Sequence, residues 1–198
     1  MRTFLLEKSR VSNANGAGER SYHIYFQIMA GAQMSDVGEL GLPFLKGKKC
    51  DEFHYLNQTG TTRSDAIDDA SDFRVTHSGL SSCGLDNAER AATYQVVAAL
   101  LYLGQTALEA NGDDATKITA SGAANVKRTC ELLGIADISV DLVEKLTIVG
   151  VERFQIQLKL EAAVKQRDAL AKQERGAFEL HLKPVSRDTP IPTPCPYP

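Results

Sequence analysis

The run Thr3-Phe4-Leu5-Leu6-Glu7-Lys8-Ser9-Arg10-Val11 has the content of a β-strand, with Leu5 and Leu6 adjacent rather than alternating. Adjacent apolar residues suit a strand covered on both faces, as in the interior of a mixed sheet. Such a strand needs a hydrogen-bonding neighbour along each edge. Few other segments of this chain can supply one, because most of its apolar residues recur at helical spacing. The expectation is a mostly helical fold with a few strands (α+β), holding a strand at residues 3–11 that calls for a larger sheet.

The helical readings follow from spacing and caps. A short polar turn, Ser12 to Ala17, leads into a helix over 18–32, with Tyr22, Phe26, Met29 and Ala30 on one stripe and Ile24 and Ile28 beside it. Apolar nearly all round, it reads as deeply packed. Residues 33–63 read as irregular, with Pro43, a lysine group at Lys46, Lys48 and Lys49, and an ordered loop at 55–60. A helix over 64–79 would open at Ser64 or Asp65, supported by Ile67 and Phe73. The clearest helix spans 87–103: Asp86 with Glu89 three residues on makes a capping box, and Gly104 supplies the stop. Asn111 to Asp114 reads as a turn. One helix runs from about Gly122 to Leu133 and ends at Gly134; another opens at Ser139 and runs to about Leu146.

The period then changes to two. Phe154, Ile156, Leu158 and Leu160 alternate with Arg153, Gln155, Gln157 and Lys159, the pattern of a half-buried strand. Residues 161–175 return to helix. From Lys183 onward lie six of the seven prolines, so 183–198 is expected to be a disordered or polyproline II tail, with docking to an SH3-type partner as a lesser reading.

Composition narrows the function classes. A net charge of −3 and a pI near 5.8 leave no electrostatic footprint for nucleic acid. The best apolar run, Val96 to Leu103, falls well short of the ~18 residues of a membrane span. Glu7, Lys8 and Arg10 interrupt any signal-peptide core, so the expected compartment is the cytosol. Cys50, Cys83, Cys130 and Cys195 are irregularly spaced and read as reduced thiols; Cys50 with His54 is an isolated pair where zinc wants two.

No catalytic motif is legible. Gly41-Leu42-Pro43-Phe44-Leu45-Lys46-Gly47-Lys48-Lys49 approximates a phosphate-binding loop, but its glycines are one residue too far apart and Lys49 stands where Ser or Thr would bind Mg²⁺. Asp65, Asp68, Asp69 and Asp72 read as a capping face at a helix start, where the dipole favours acids.

A series of strings resembles the myosin motor domain family, in family order. They are the opening run at 3–11, Gly18-Glu19-Arg20-Ser21-Tyr22-His23-Ile24-Tyr25-Phe26-Gln27, Tyr55-Leu56-Asn57-Gln58-Thr59-Gly60, and Ile67-Asp68-Asp69-Ala70 with Phe73. Val96 to Gly104, Glu131-Leu132-Leu133-Gly134-Ile135 and Arg167-Asp168-Ala169-Leu170-Ala171-Lys172 complete it. The resemblance covers about 3–172 and implies part of a P-loop NTPase fold, the upper 50-kilodalton region without most of the central sheet. The division expected is a partial motor domain over 1–182 and the proline-rich tail over 183–198.

The resemblance also implies a function. Its parent activity is actin-activated ATP hydrolysis with movement on filaments, in the cytoplasm and cytoskeleton, with ATP and Mg²⁺ as cofactors of the full-length family. The nucleotide-binding loop and switches have no counterpart among these residues and would lie before Met1 or beyond residue 173. No cofactor and no catalytic residue are therefore expected in this chain, and its partners would be actin filaments and the rest of a motor domain. The stretch between Leu146 and Glu161 matches the family's cardiomyopathy loop, and Val149, Val151, Glu152, Arg153 and Phe154 are the residues implied for actin contact. The lead-in Leu146-Thr147-Ile148 departs from the family by lacking a basic residue. Two alternatives stand beside this reading: a non-catalytic helical actin-binding or scaffold module, and an edge hairpin whose Phe154 and Ile156 pack inward.

Overall fold

The structure, a computed structural model, describes residues 8–12, 16, 18–35, 40, 42–149 and 152–172. Its helices are α1 (His23–Gly31), α2 (His54–Asn57), α3 (Asp69–Ser82), α4 (Asn87–Gly104), α5 (Ala120–Leu133), α6 (Ser139–Val143) and α7 (Leu160–Lys172). The strands β1 (Leu108–Ala110) and β2 (Thr116–Ile118) form one antiparallel pair, and β3 (Glu144–Val149) and β4 (Glu152–Gln157) form another. The fold is thus mostly helical with small β elements, as its sequence predicts.

α4 is the axis of the core. Asp86 Oδ1 accepts the Glu89 N–H at 2.8 Å and Glu89 Oε2 accepts the Asp86 N–H at 2.9 Å, closing the predicted capping box. α5 packs along α4, while α1 and α3 pack on each other and against it. Tyr25, Phe26, Ile28 and Met29 of α1, Phe73 of α3, and Tyr94, Ala98, Ala99 and Leu101 of α4 are buried together. The packing is close enough to dictate glycine at two positions. A Cβ on Gly31 would lie 2.6 Å from the Phe73 ring, and one on Gly104 would lie 2.7 Å from the Tyr55 ring. α5 stops as expected at Gly134, in the left-handed region at φ 62°.

Several expectations are corrected. Within 3–11, the described part, Lys8–Val11, is a 3-10 turn and not a strand. Among the described residues no strand lies beside it, and its polar groups are met by side chains instead. Ser21 Oγ donates to Arg10 O at 2.5 Å, Tyr25 OH to Val11 O at 3.4 Å and Gln58 Nε2 to Ser12 O at 3.0 Å. The same tethers hold the chain extended before α1, which begins at His23, not at residue 18. α3 begins at Asp69, because Asp68 is the residue whose carboxylate caps it, accepting from the Ala70 and Ser71 N–H groups at 3.1 and 3.0 Å. The β1–β2 hairpin brackets the turn expected at 111–114 and was not expected itself. The helix expected from Ser139 to Leu146 ends at Val143, and the chain continues as β3. Residues 3–7, Gly41, Val151 and the tail at 183–198 lie outside the described residues.

Candidate functional site

The β3–β4 hairpin is fixed at its base and exposed beyond it. Leu158 N donates to Val143 O at 2.8 Å, and Thr116 Oγ1 from β2 donates to Leu158 O at 2.7 Å. From α7, Gln166 Nε2 reaches Asp141 O at 2.5 Å and Glu144 O at 3.1 Å. Lys159 Nζ lies 2.6 Å from Asp114 Oδ1, joining the foot of α7 to the β1–β2 turn. Under this junction Leu142 and Ala163 are fully buried.

The register is Glu144 opposite Gln157, Leu146 opposite Gln155, Thr147 opposite Phe154, Ile148 opposite Arg153 and Val149 opposite Glu152. Residues opposite one another share a face and successive residues alternate. One face therefore carries Lys145, Thr147, Phe154 and Ile156; the other carries Leu146, Ile148, Arg153 and Gln155. Every residue of β4 is exposed. Leu146 is 55% exposed, Ile148 61%, Phe154 46% and Ile156 50%. Of the residues implied for partner contact, Glu152, Arg153 and Phe154 stand on this exposed strand, Val149 closes β3 opposite Glu152, and Val151 falls outside the described residues.

The strand is thus not half-buried, and Phe154 and Ile156 do not pack inward. Alternation shows that a strand has two kinds of face; it does not show that the apolar one is covered. Sequence reasoning also missed Leu146 and Ile148, having extended the preceding helix through Leu146. Their own period-two spacing around Thr147 is the signal that could have found them.

The platform under the hairpin is a charged network at the α7–α2 contact. Tyr55 OH donates to Asp168 Oδ1 at 2.8 Å, Arg167 Nε and Nη2 donate to the same oxygen at 3.0 and 2.9 Å, and Arg167 Nη1 donates to Thr106 O at 3.2 Å. Burial, then the Asp168 charge, pushes the Tyr55 phenol far above its ordinary range. These residues hold α7 in place, with the Tyr55 hydroxyl, the Arg167 guanidinium and Asp168 Oδ1 all engaged within the fold.

Other sequence candidates resolve into structural roles. Asp69 Oδ2 meets Arg20 Nη2 at 2.6 Å. In the glycine- and lysine-rich stretch, Glu52 accepts the Lys49 N–H at 2.8 Å and pairs with Lys48 Nζ at 3.1 Å, and these contacts hold its carboxyl below the usual range. Pro43–Leu45 and Cys50–Glu52 on either side are 3-10 turns, so no α-helix opens there. Cys50, Cys83 and Cys130 are free thiols, and burial foremost pushes Cys50 up to about 11. Among the described residues no group of His, Cys, Asp or Glu is arranged to hold a metal ion, and no helix is long and apolar enough to cross a membrane.

The chain matches the family described as myosin head (motor domain) over residues 1–179. It is 30% identical over 174 residues to unconventional myosin-Vb of Homo sapiens, covering 87% of this chain and 9% of that protein. It is 31% identical to Myosin-2 and 32% identical to Myosin-4 of Saccharomyces cerevisiae, again over 87% of this chain and 10% and 11% of theirs. The chain therefore spans about a tenth of the length of these relatives.

Proposed function

This chain belongs to the myosin head family, and from that premise we propose that it is a filament-contacting piece of an actin-based cytoskeletal motor, with the β3–β4 hairpin as its contact element. The observation that carries the reading is the exposure of Leu146, Ile148, Phe154 and Ile156 on one hairpin. Large apolar side chains gathered outside the core mark interaction surfaces, and aromatic residues and arginine are enriched at interfaces. Phe154 has Arg153 and Glu152 beside it along the strand.

ATP turnover belongs to the parent motor in this reading. Phosphoryl transfer is catalysed by positioning and charge stabilisation from a phosphate-gripping backbone, Mg²⁺ and mobile switches. The sequence 1–198 contains no such loop or switch motif, so this polypeptide alone is not expected to hydrolyse ATP. ATP and Mg²⁺ would act on other parts of a complete motor, and the hairpin residues would supply contact only.

The test is co-sedimentation of the whole chain with actin filaments. Binding that falls at least about tenfold in Phe154→Ala, and measurably in Arg153→Ala, supports the assignment. Binding unchanged in both would move the contact elsewhere. A Mg²⁺-dependent ATPase from the purified chain would overturn the division of labour.

A helical binding or scaffold module is the second reading. It is favoured by the closed core around α4, which buries Tyr94, Phe73 and Leu101 with no other chain present. Filament binding without ATPase would be shared by both readings. Restoration of ATPase on mixing with the remainder of a motor domain would select the first.

A further inference from the structure

We infer that β4 is a self-complementary edge, through which two copies of this chain pair antiparallel about a two-fold axis at Gln155. Among the described residues no strand pairs with the second edge of β4. Which backbone groups that edge presents follows from the register. Residues facing one another in an antiparallel pair alternate between exchanging both hydrogen bonds and exchanging none. The bond from Leu158 N to Val143 O at 2.8 Å fixes the phase, because these residues continue the β3–β4 register. Lys145 with Ile156, Thr147 with Phe154 and Val149 with Glu152 are then the bonded pairs. Arg153, Gln155 and Gln157 point their N–H and C=O groups outward.

A second β4 can meet that row only where outward groups face outward groups. Centring the pairing on Gln155 satisfies all of them: Gln155 faces itself, and Arg153 faces Gln157 of the second copy. Phe154 then stands opposite Ile156 of the second copy, twice, in the non-bonded positions where side chains approach most closely. Aromatic with β-branched is a favourable cross-strand pair. On that face the four strands carry Thr147, Phe154, Ile156 and Lys145 in one row and the same sequence reversed in the next, an apolar centre with polar margins.

The charges agree with this register. On the opposite face one row runs Ile148, Arg153, then Gln157 and Glu144 of the second copy. Arg153 thus shares a row with an opposite charge, and no like charges face each other. Gln157 Nε2 already donates to Glu144 Oε1 at 2.6 Å within each copy, which holds that carboxylate at the row's end. Shifting the axis by one residue, to Phe154, forfeits a hydrogen-bonded pair and sets Phe154 opposite itself instead of opposite Ile156. The outer edge of β3 is the poorer surface, since Gln166 Nε2 from α7 occupies Glu144 O. This association is independent of filament binding, although it covers part of the same strand.

The experiment is sedimentation equilibrium on the whole chain at concentrations up to about 100 µM. Two proline variants separate the two edges. In Gln155→Pro the lost N–H points outward from β4 and in Leu146→Pro outward from β3, so neither removes a β3–β4 bond. The expected result is a dimer for the native chain and for Leu146→Pro, and a monomer for Gln155→Pro, with unchanged far-ultraviolet circular dichroism in all three. Ile156→Lys is expected to be monomeric as well. A native chain that stays monomeric throughout the range overturns the pairing, as does a dimeric Gln155→Pro. Loss of assembly in Leu146→Pro also overturns it, because it requires β3 to take part.

Discussion

Phe73 on α3 is fully buried, its ring tilted against Tyr94 with centroids 5.4 Å apart and pressed on the backbone at Gly31, whereas Phe154 on β4 keeps 46% of its surface in water. The helical core and the β3–β4 hairpin draw on the same residue types. They differ in what the neighbouring chain offers: α1 and α4 close over Phe73, whereas among the described residues β4 pairs with β3 alone. In the core, shape is used up in holding the fold together. On the hairpin, apolar surface is left over, and leftover surface is what a partner can use.

The contrast is most easily broken by a matched pair of truncations. Phe73→Ala should cost about 3–5 kcal/mol of unfolding free energy, and Phe154→Ala no more than about 0.5 kcal/mol, both read from urea unfolding. Comparable losses would mean that the hairpin is part of the core. A smaller effect sharpens the same line. Gly104→Ala should cost about 1–3 kcal/mol, because its methyl has no room against the Tyr55 ring.

The smallest effect is one of pH. Burial first, then Arg167 for His54 and Arg90 for His77, hold both histidines below their ordinary value near 6.5. The unfolded chain takes up these protons first, so stability is full above about pH 6.5 and falls as pH drops below it. Replacing both residues by Gln should flatten that slope in urea titrations between pH 5 and 8. Phe154→Ala should leave the slope as it was, since neither histidine is on the hairpin.

What was legible in the sequence divides along the same boundary. α4 could be read with its caps because Asp86, Glu89 and the apolar stripe act within a few residues of each other. Gly134 announced the end of α5 for the same reason. β3 was not legible: Val140 to Leu146 reads as helix locally, and pairing with β4 decides otherwise. β1 and β2 are too short to show a period at all. Residues 8–11 have strand composition, yet a strand exists only beside another strand. At the candidate site, the alternation of β4 gave Arg153 and Phe154 their opposite faces. It could not show that both faces are open, because that depends on β3 turning Leu146 and Ile148 the other way.

Gln166 has a mechanical consequence. It ties the hairpin's root to the middle of α7, and the next two residues, Arg167 and Asp168, clamp α7 to Thr106 and Tyr55. A six-residue strand reaches about 20 Å, so tilting its root by about ten degrees sweeps the far end through about 3–4 Å. Any rotation of α7 would be magnified at the tip, which makes this helix a tiller for whatever the hairpin touches.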